Sequence, residues 1–291
     1  MTDLRQSEEY GKYMEKLGWR VFPTINQLTN QQINIFVRPL GILGAIAKIQ
    51  RAGYPLPWDG VDRVLRENKV WMCKLEPLVQ ATVNNSQLTI NELRQHGFKQ
   101  DKWPLSVSKT ICLSLSTSLR EIRNNFKKDA RYCLRQAEEK IKNKTLKIEK
   151  NKFEEFYECW KKGAKLKKLW IPKKELFMTM VEIFGDDCFC LTASNEEGVI
   201  AGVFVLITDK TAYNYYSTSL PEGKKLNAPY LLVWEAMKEA KKRGCSKWDF
   251  EGIYDQRWPN NGWLGFSHFK KSFGGEEIEY IGSFTKWRLQ L

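Results

Sequence analysis

Two segments concentrate the residue types that acyl-transfer or acid–base chemistry needs. Trp248-Asp-Phe-Glu-Gly-Ile253 brings two carboxylates to the end of a strand-like run. Phe266-Ser-His-Phe-Lys-Lys-Ser-Phe-Gly-Gly275 follows with lysines, aromatics and paired glycines. Acid, lysine and aromatic groups thus converge at a strand end and the loop after it, where folds of alternating helix and strand place ligands. Each residue also has an ordinary reading. Phe266, Phe269 and Phe273 suit core packing, Gly274 and Gly275 a turn, Lys271 solvent, and Asp249 a structural cap.

A second concentration is electrostatic. The 291 residues carry a net charge of +13, and residues 120–175 hold 19 Lys and Arg against 9 Asp and Glu, which is +10 of that excess. Charge of this size speaks to partners and not to fold, and nucleic acid, an anionic membrane face and a phosphorylated substrate all fit it. Lys127, Arg131 and Arg135 are spaced by four, so on a helix they form a basic ridge, which is either a phosphate-binding face or plain solvated surface.

Other chemistries lack their residues. There is no phosphate-binding Walker loop, no GxGxxG and no GxSxG, and His96 and His268 are the only histidines. The seven cysteines lack CxxC spacing and sit in apolar stretches, so they read as reduced core thiols; neither a metal site nor a cofactor is expected. No apolar run approaches the roughly 20 residues of a membrane helix, and the polar start MTDLRQSEEY is not a signal peptide. The expectation is a cytoplasmic protein.

The elements that must position these residues alternate, which argues for α/β architecture. Ser7 caps a helix to about Leu17, and strands are expected at Ile33–Arg38, Ile42–Ile49, Val70–Leu75 and Lys109–Leu115. A short helix opens at Asp59, and Thr89-Ile-Asn-Glu92 reads as a capping box. A second box, Ser118-Leu-Arg-Glu121, opens a long helical region in which Phe126, Ala130, Leu134, Ala137 and Ile141 make one buried stripe. Strands Cys188–Thr192 and Val199–Ile207 flank a turn at Asn195–Gly198. Strand Thr211–Thr218 follows, then a helix with Pro229 in its first turn and Gly244 at its end, then strand Lys247–Phe250 and a last strand near Ile278–Phe284. This order suits an acyltransferase domain of the GNAT type, and the N-terminal half repeats a similar alternation. The turn Ser219-Leu-Pro-Glu-Gly-Lys-Lys-Leu-Asn-Ala-Pro229 has one glycine, so it lacks the close backbone approach that a CoA pyrophosphate requires.

The chain resembles the FemABX family of aminoacyl-tRNA-dependent peptidyl transferases, which build peptidoglycan bridges. The resemblance runs nearly end to end through Gln6-Ser-Glu-Glu-Tyr10, Leu17-Gly-Trp19, Lys74-Leu-Glu-Pro77, Lys109-Thr-Ile-Cys-Leu113 and Arg131-Tyr-Cys-Leu-Arg-Gln-Ala137. It continues in Tyr215-Tyr-Ser-Thr-Ser219, Asn227-Ala-Pro-Tyr-Leu-Leu-Val-Trp234, Asp249-Phe-Glu-Gly-Ile253, Phe269-Lys270, Phe273-Gly-Gly275 and Tyr280-Ile-Gly282. It implies two GNAT-like domains, residues 1–113 plus 282–291 and residues 114–281, without the coiled-coil arm of some relatives.

The resemblance further implies that Lys270, of the Phe269-Lys270 pair, stabilises the tetrahedral intermediate. Asp249, Glu251 and Asp255 are the nearest acids for taking the acceptor's proton, since relatives' Asp is replaced here by Ser114. Tyr215, Tyr216, Tyr230, Arg257 and Arg131 are expected to line the acceptor cleft, and Lys127, Lys128 and Arg135 to meet tRNA. The implied partners are aminoacyl-tRNA and a peptidoglycan precursor, either lipid II or UDP-MurNAc-pentapeptide, with peripheral contact at the inner membrane face allowed. The competing readings are an N-acyltransferase using acyl-CoA or acyl carrier protein, and a non-catalytic nucleic-acid-binding module.

Overall fold

Residues 2–26, 29–82 and 86–288 are described by the computed structural model. The first elements are α1 (Glu8–Lys16), β1 (Arg20–Ile25), β2 (Gln32–Pro39), β3 (Ala45–Ala52), α2 (Trp58–Glu67), β4 (Val70–Pro77), α3 (Ser86–Gln95) and β5 (Lys99–Gln100). They are followed by β6 (Lys109–Ser114), α4 (Leu119–Asn124), α5 (Lys128–Lys142), β7 (Lys147–Lys150), α6 (Phe153–Leu166), α7 (Lys174–Phe184), β8 (Cys188–Asn195), β9 (Gly198–Thr208) and β10 (Thr211–Ser219). The chain ends with α8 (Pro221–Lys225), α9 (Ala228–Lys242), β11 (Lys247–Asp249), α10 (Leu264–Lys271), β12 (Glu276–Glu279) and β13 (Phe284–Trp287). These form two units: Met1–Thr110 with Tyr254–Asn260 and Ile278–Leu291, and Ile111–Ile253 with Asn261–Glu277.

The first unit is built on a six-stranded sheet of order β1-β2-β3-β4-β13-β5, with β3 and β4 parallel across α2 and the other pairs antiparallel. Alternation along β2 and β3 sends Ile33, Ile35, Val37, Ala45, Ala47 and Ile49 into one core with Val61 and Leu65 of α2. Phe36 points the other way, against Tyr10 of α1, with ring centroids 6.0 Å apart.

Arg257 ties three pieces of this unit together. Its Nε and Nη2 donate to the Asp255 carboxylate at 2.7–3.2 Å, its Nη1 to Tyr280 O at 2.9 Å, and Nη2 again to Ser108 O at 3.3 Å. Ser108 Oγ donates to the same carboxylate at 2.7 Å. Burial by itself would raise the Asp255 pKa; the Arg257 and Ser108 hydrogen bonds prevail and hold it below the usual carboxylate range.

The second unit carries a seven-stranded sheet of order β12-β6-β11-β10-β9-β8-β7. Leu113, Phe189, Leu191, Val203, Val205 and Trp248 face α5 and α9 in one core, and Phe204 faces Phe156 of α6 and Phe177 of α7 on the opposite side. The α5 stripe behaves as its spacing requires: Phe126, Ala130, Leu134 and Ala137 are buried, with Ile141 packed at the edge.

Four local expectations need correction. The helix opened by Ser118 is broken into α4 and α5, because Lys127 N–H donates to Ser272 O at 2.8 Å instead of continuing the helical ladder. Thr89 is no cap: α3 starts at Ser86, Thr89 is buried inside it, and Glu92 Oε1 accepts from Trp58 Nε1 at 2.6 Å. The run Ile42–Ile49 opens with a 3-10 turn at Gly41–Leu43, with Ile42 and Leu43 exposed, before β3 begins at Ala45. The single strand near Ile278–Phe284 is two, β12 and β13, in different sheets, separated at Gly282, whose φ is +97°.

Gly274 and Gly275 make the Ser272 contact possible. Both have positive φ (+75° and +92°), and a Cβ on Gly275 would lie 2.6 Å from Cys112 O, one on Gly274 2.8 Å from Asn125 O. Gly275→Ala is therefore expected to destabilise the second unit by about 1–3 kcal/mol from backbone strain alone, with the backbone clash added; a melting temperature equal to wild type would refute this. In the first unit, Arg257→Ala strands the Asp255 carboxylate, at an expected cost of about 3 kcal/mol. Because a depressed carboxylate stabilises above its unfolded pKa and loses that contribution as pH falls through the folded one, wild type should be the more stable protein above about pH 4 and the two should converge in acid. Melting curves of both proteins across the acid range check this.

Candidate active site

Strands β10 and β11 run parallel for only three paired positions, Thr211–Tyr213 against Lys247–Asp249. Beyond them β10 continues to Ser219 on β9 alone, and a bulge between Asn214 and Tyr216 shifts the register at Tyr215. The chain after β11 turns away, with Glu251 and Gly252 at positive φ (+52° and +106°). The strands therefore part; Phe250 N–H still donates to Ile111 O at 3.0 Å, while the Phe250 and Gly252 carbonyls turn to another donor.

Lys270, in the last turn of α10, meets them. Its Nζ donates to Phe250 O and Gly252 O, both at 2.7 Å, and lies 4.9 Å from the Phe266 ring centroid. Burial lowers its pKa to about 8, opposed by the negative charges of Glu251 and Asp249. An ammonium has three protons, and these two carbonyls hold two of them.

Asp249, buried at the end of β11, shapes the same turn. Its Oδ1 accepts from Glu251 N–H at 2.8 Å and its Oδ2 from Cys112 Sγ at 3.5 Å. The turn that presents the two carbonyls to Lys270 is thus fastened by Asp249.

Phe269 packs edge-on against Tyr230 at 4.8 Å and Phe273 at 5.2 Å, and Tyr230 stacks on Phe273 at 5.7 Å. Burial raises the Tyr230 pKa, with the neighbouring Cys133 and Asp129 acting in the same sense. The residues Asp249, Phe269, Lys270 and Tyr230 are therefore brought together. Tyr216 is not with them: its ring lies 4.1 Å from Trp160 of α6 and faces Phe204, on the opposite side of the sheet, with Tyr215 4.6 Å from it. Arg257 belongs to the first unit, in the tie described above.

The basic ridge forms as spaced. Lys127, Lys128, Arg131 and Arg135 are all exposed at the start of α5 and along it. Arg131 Nη1 donates to Asn124 O at 2.8 Å and so braces the α4–α5 break. Lys127 and Lys128 stand at the positive end of the helix dipole, where a cation is unfavourable and an anion favoured.

Three features here have little sequence signal. The acceptors of Lys270 are main-chain carbonyls, foreshadowed only by Gly252. The bulge at Tyr215 is invisible in an alternating strand. In the first unit, Lys48 sits 4.8 Å from the Trp19 ring centroid, and burial with the Arg5 charge lowers its pKa to about 8 against the opposing Glu76. Among the described residues no group of three His, Cys, Asp or Glu is placed to hold a metal, and no helix is long and apolar enough to cross a membrane.

Residues 190–290 match the sequence model of the FemAB family. No curated protein sequence matches the chain. Among solved structures, FemX aligns at 14% identity with a TM-score of 0.82, covering 98% of this chain and 92% of its own. L-PGS from Bacillus licheniformis aligns at 10% identity and TM-score 0.55, covering 100% and 94%. A lysylphosphatidylglycerol synthetase-type C-terminal domain from Agrobacterium fabrum aligns at 12% and 0.58, covering 97% and 88%. The FemX likeness extends over both α/β units, and among the described residues the longest helices, α5 and α9, have 15 residues each, so there is no coiled-coil arm. The C-terminal third of the chain thus matches the FemAB family model in sequence, and nearly its whole length carries the fold seen in FemX.

Proposed function

We propose that the protein transfers an amino acid from aminoacyl-tRNA to the stem peptide of a peptidoglycan precursor, either lipid II or UDP-MurNAc-pentapeptide. The observation that carries this reading is the Lys270 ammonium, fixed on two carbonyls with a third proton to give. The acceptor's amine attacks the ester carbonyl carbon of the aminoacyl-tRNA, and the carbonyl oxygen becomes an oxyanion. A preorganised cation in a poorly hydrated site stabilises that charge strongly. Collapse forms the amide, breaks the ester bond and releases the tRNA ribose oxygen, which takes up the proton that the amine gives up. The ester is already activated, so no covalent enzyme intermediate is required.

In this reading Asp249 is a positioning residue, since its carboxylate fastens the turn that holds Lys270. Phe266 lies beside the ammonium, Phe269 and Tyr230 pack together as an aromatic wall, and Tyr216 with Tyr215 packs on Trp160 across the sheet. The exposed cations Lys127, Lys128, Arg131 and Arg135 take phosphates, a role supported by two lysines standing at a helix start, where the helix dipole favours an anion.

Lys270→Ala should lower the transfer rate by roughly 10²–10³-fold with little change in substrate affinity. Since the ammonium exists below a pKa of about 8 and is lost above it, wild-type kcat should fall as pH rises through about 8. A flat profile there removes the charge from the mechanism. Asp249→Asn keeps an acceptor for Glu251 N–H, so the rate should stay within roughly tenfold of wild type, whereas a general base at this position would lose roughly 10²-fold or more. For tRNA, log affinity should fall linearly with log salt. Replacing Lys127, Arg131 and Arg135 by Gln should flatten that slope by about two units; an unchanged slope would make the ridge ordinary surface.

A further inference from the structure

One surface of the second unit is left unexplained by tRNA or by the reaction. Between residues 159 and 174 the chain has seven lysines and no carboxylate. The same stretch exposes three large apolar side chains, Leu166 (66%), Leu169 (61%) and Trp170 (85%). Lys174 is paired with Glu154 at 3.0 Å, but the cations still crowd: burial of the Lys167 amine and the charge of Lys224 on α8 both lower the pKa of Lys167.

The segment is held, not loose. α6 ends in a Schellman arrangement: Leu169 N–H donates to Ala164 O at 2.9 Å and Lys168 N–H to Lys165 O at 3.1 Å. Lys168 occupies the left-handed position (φ +54°) that glycine usually fills, so the site keeps a cation at a conformational cost. In such a motif the residue in Leu169's place ordinarily packs back on the helix; here it points into solvent. At the other end Tyr157 Oη donates to Pro172 O at 3.0 Å. The turn therefore projects Leu169 and Trp170 from a pinned backbone.

We infer that this projecting turn, with Leu166, Leu169 and Trp170 ringed by lysines, is a docking surface for an anionic phospholipid bilayer. Indole and leucine side chains partition into the headgroup–acyl boundary, and lysines around them meet the anionic headgroups. RNA would use the lysines but has no use for two exposed leucines. A protein partner would have to neutralise the surplus of lysines around a small apolar tip. The surface also stands at the end of the sheet where the parted strands open: Gly163 of α6 lies against Thr218 near the end of β10, and α8 follows that strand directly. The inference rests on the transferase reading only for its purpose, which is access to a lipid-linked acceptor.

The test uses the full chain in flotation with vesicles of phosphatidylcholine alone or mixed with phosphatidylglycerol. Wild type should float with the phosphatidylglycerol vesicles only, and less so at high salt. Leu169→Ser with Trp170→Ala should weaken that binding by roughly tenfold or more, with an unchanged melting temperature, because both side chains are exposed. Affinity for tRNA should be unchanged in the double variant. Wild type that stays at the bottom of the gradient, or a double variant that floats equally well, overturns the inference. So does a double variant that loses tRNA affinity and floats normally, which would make the turn an RNA contact. No transfer is read in this assay, so a failed transferase reading leaves its outcome intact, and the reverse also holds.

Discussion

The arrangement of the second unit follows from the brevity of the β10–β11 pairing. Two parallel strands that share only three positions must diverge, and each carbonyl that leaves the ladder needs another donor. Phe250 O and Gly252 O find theirs in Lys270. The ammonium is thereby a structural replacement for missing strand partners before it is anything else. The same hydrogen bonds fix its position far better than solvent would, and fixed charge is what distinguishes an electrostatic catalyst from a surface lysine. Asp249 closes the loop of dependence, since it holds the turn that offers the carbonyls.

The support beneath Lys270 comes from an equally tight constraint. Gly274 and Gly275 let the chain after α10 press against Asn125 and Cys112, which ends α4 and restarts the helix as α5. Phe126 then meets Phe273 at 5.0 Å and Trp234 at 5.4 Å. In this way the basic helix, the aromatic wall and the lysine are parts of one packed layer, and a displacement in one is felt by the others.

Much of this was readable in the chain. The α5 stripe, the Ser7 and Ser118 caps, Pro229 and Gly244 around α9, and the hairpin at Asn195–Gly198 all express short-range rules, and those rules held. Lys270, Phe269 and Asp249 drew attention because acid, lysine and aromatics cluster in two neighbouring segments. What escaped was set by contacts distant in sequence. The α4–α5 break depends on a carbonyl at Ser272, about 145 residues further on. Thr89 satisfies a capping pattern that a helix starting at Ser86 overrides. Neighbours on a regular strand face opposite sides, yet the bulge between Asn214 and Tyr216 leaves the Tyr215 and Tyr216 rings 4.6 Å apart, and no period-two pattern encodes an inserted residue.

The position of β13 has a consequence for how the protein is made. It lies between β4 and β5, so Leu75 and Gln100 both wait for Phe284, which leaves the ribosome more than 180 residues after Gln100. Until then β4 presents an open edge, and β5, two residues long, has nothing to pair with. The second unit waits in the same way, since β6 lies between β11 and β12, which follow it by more than 130 residues. The interval of exposed β4 edge is where chaperones or self-association would find a nascent chain of this design.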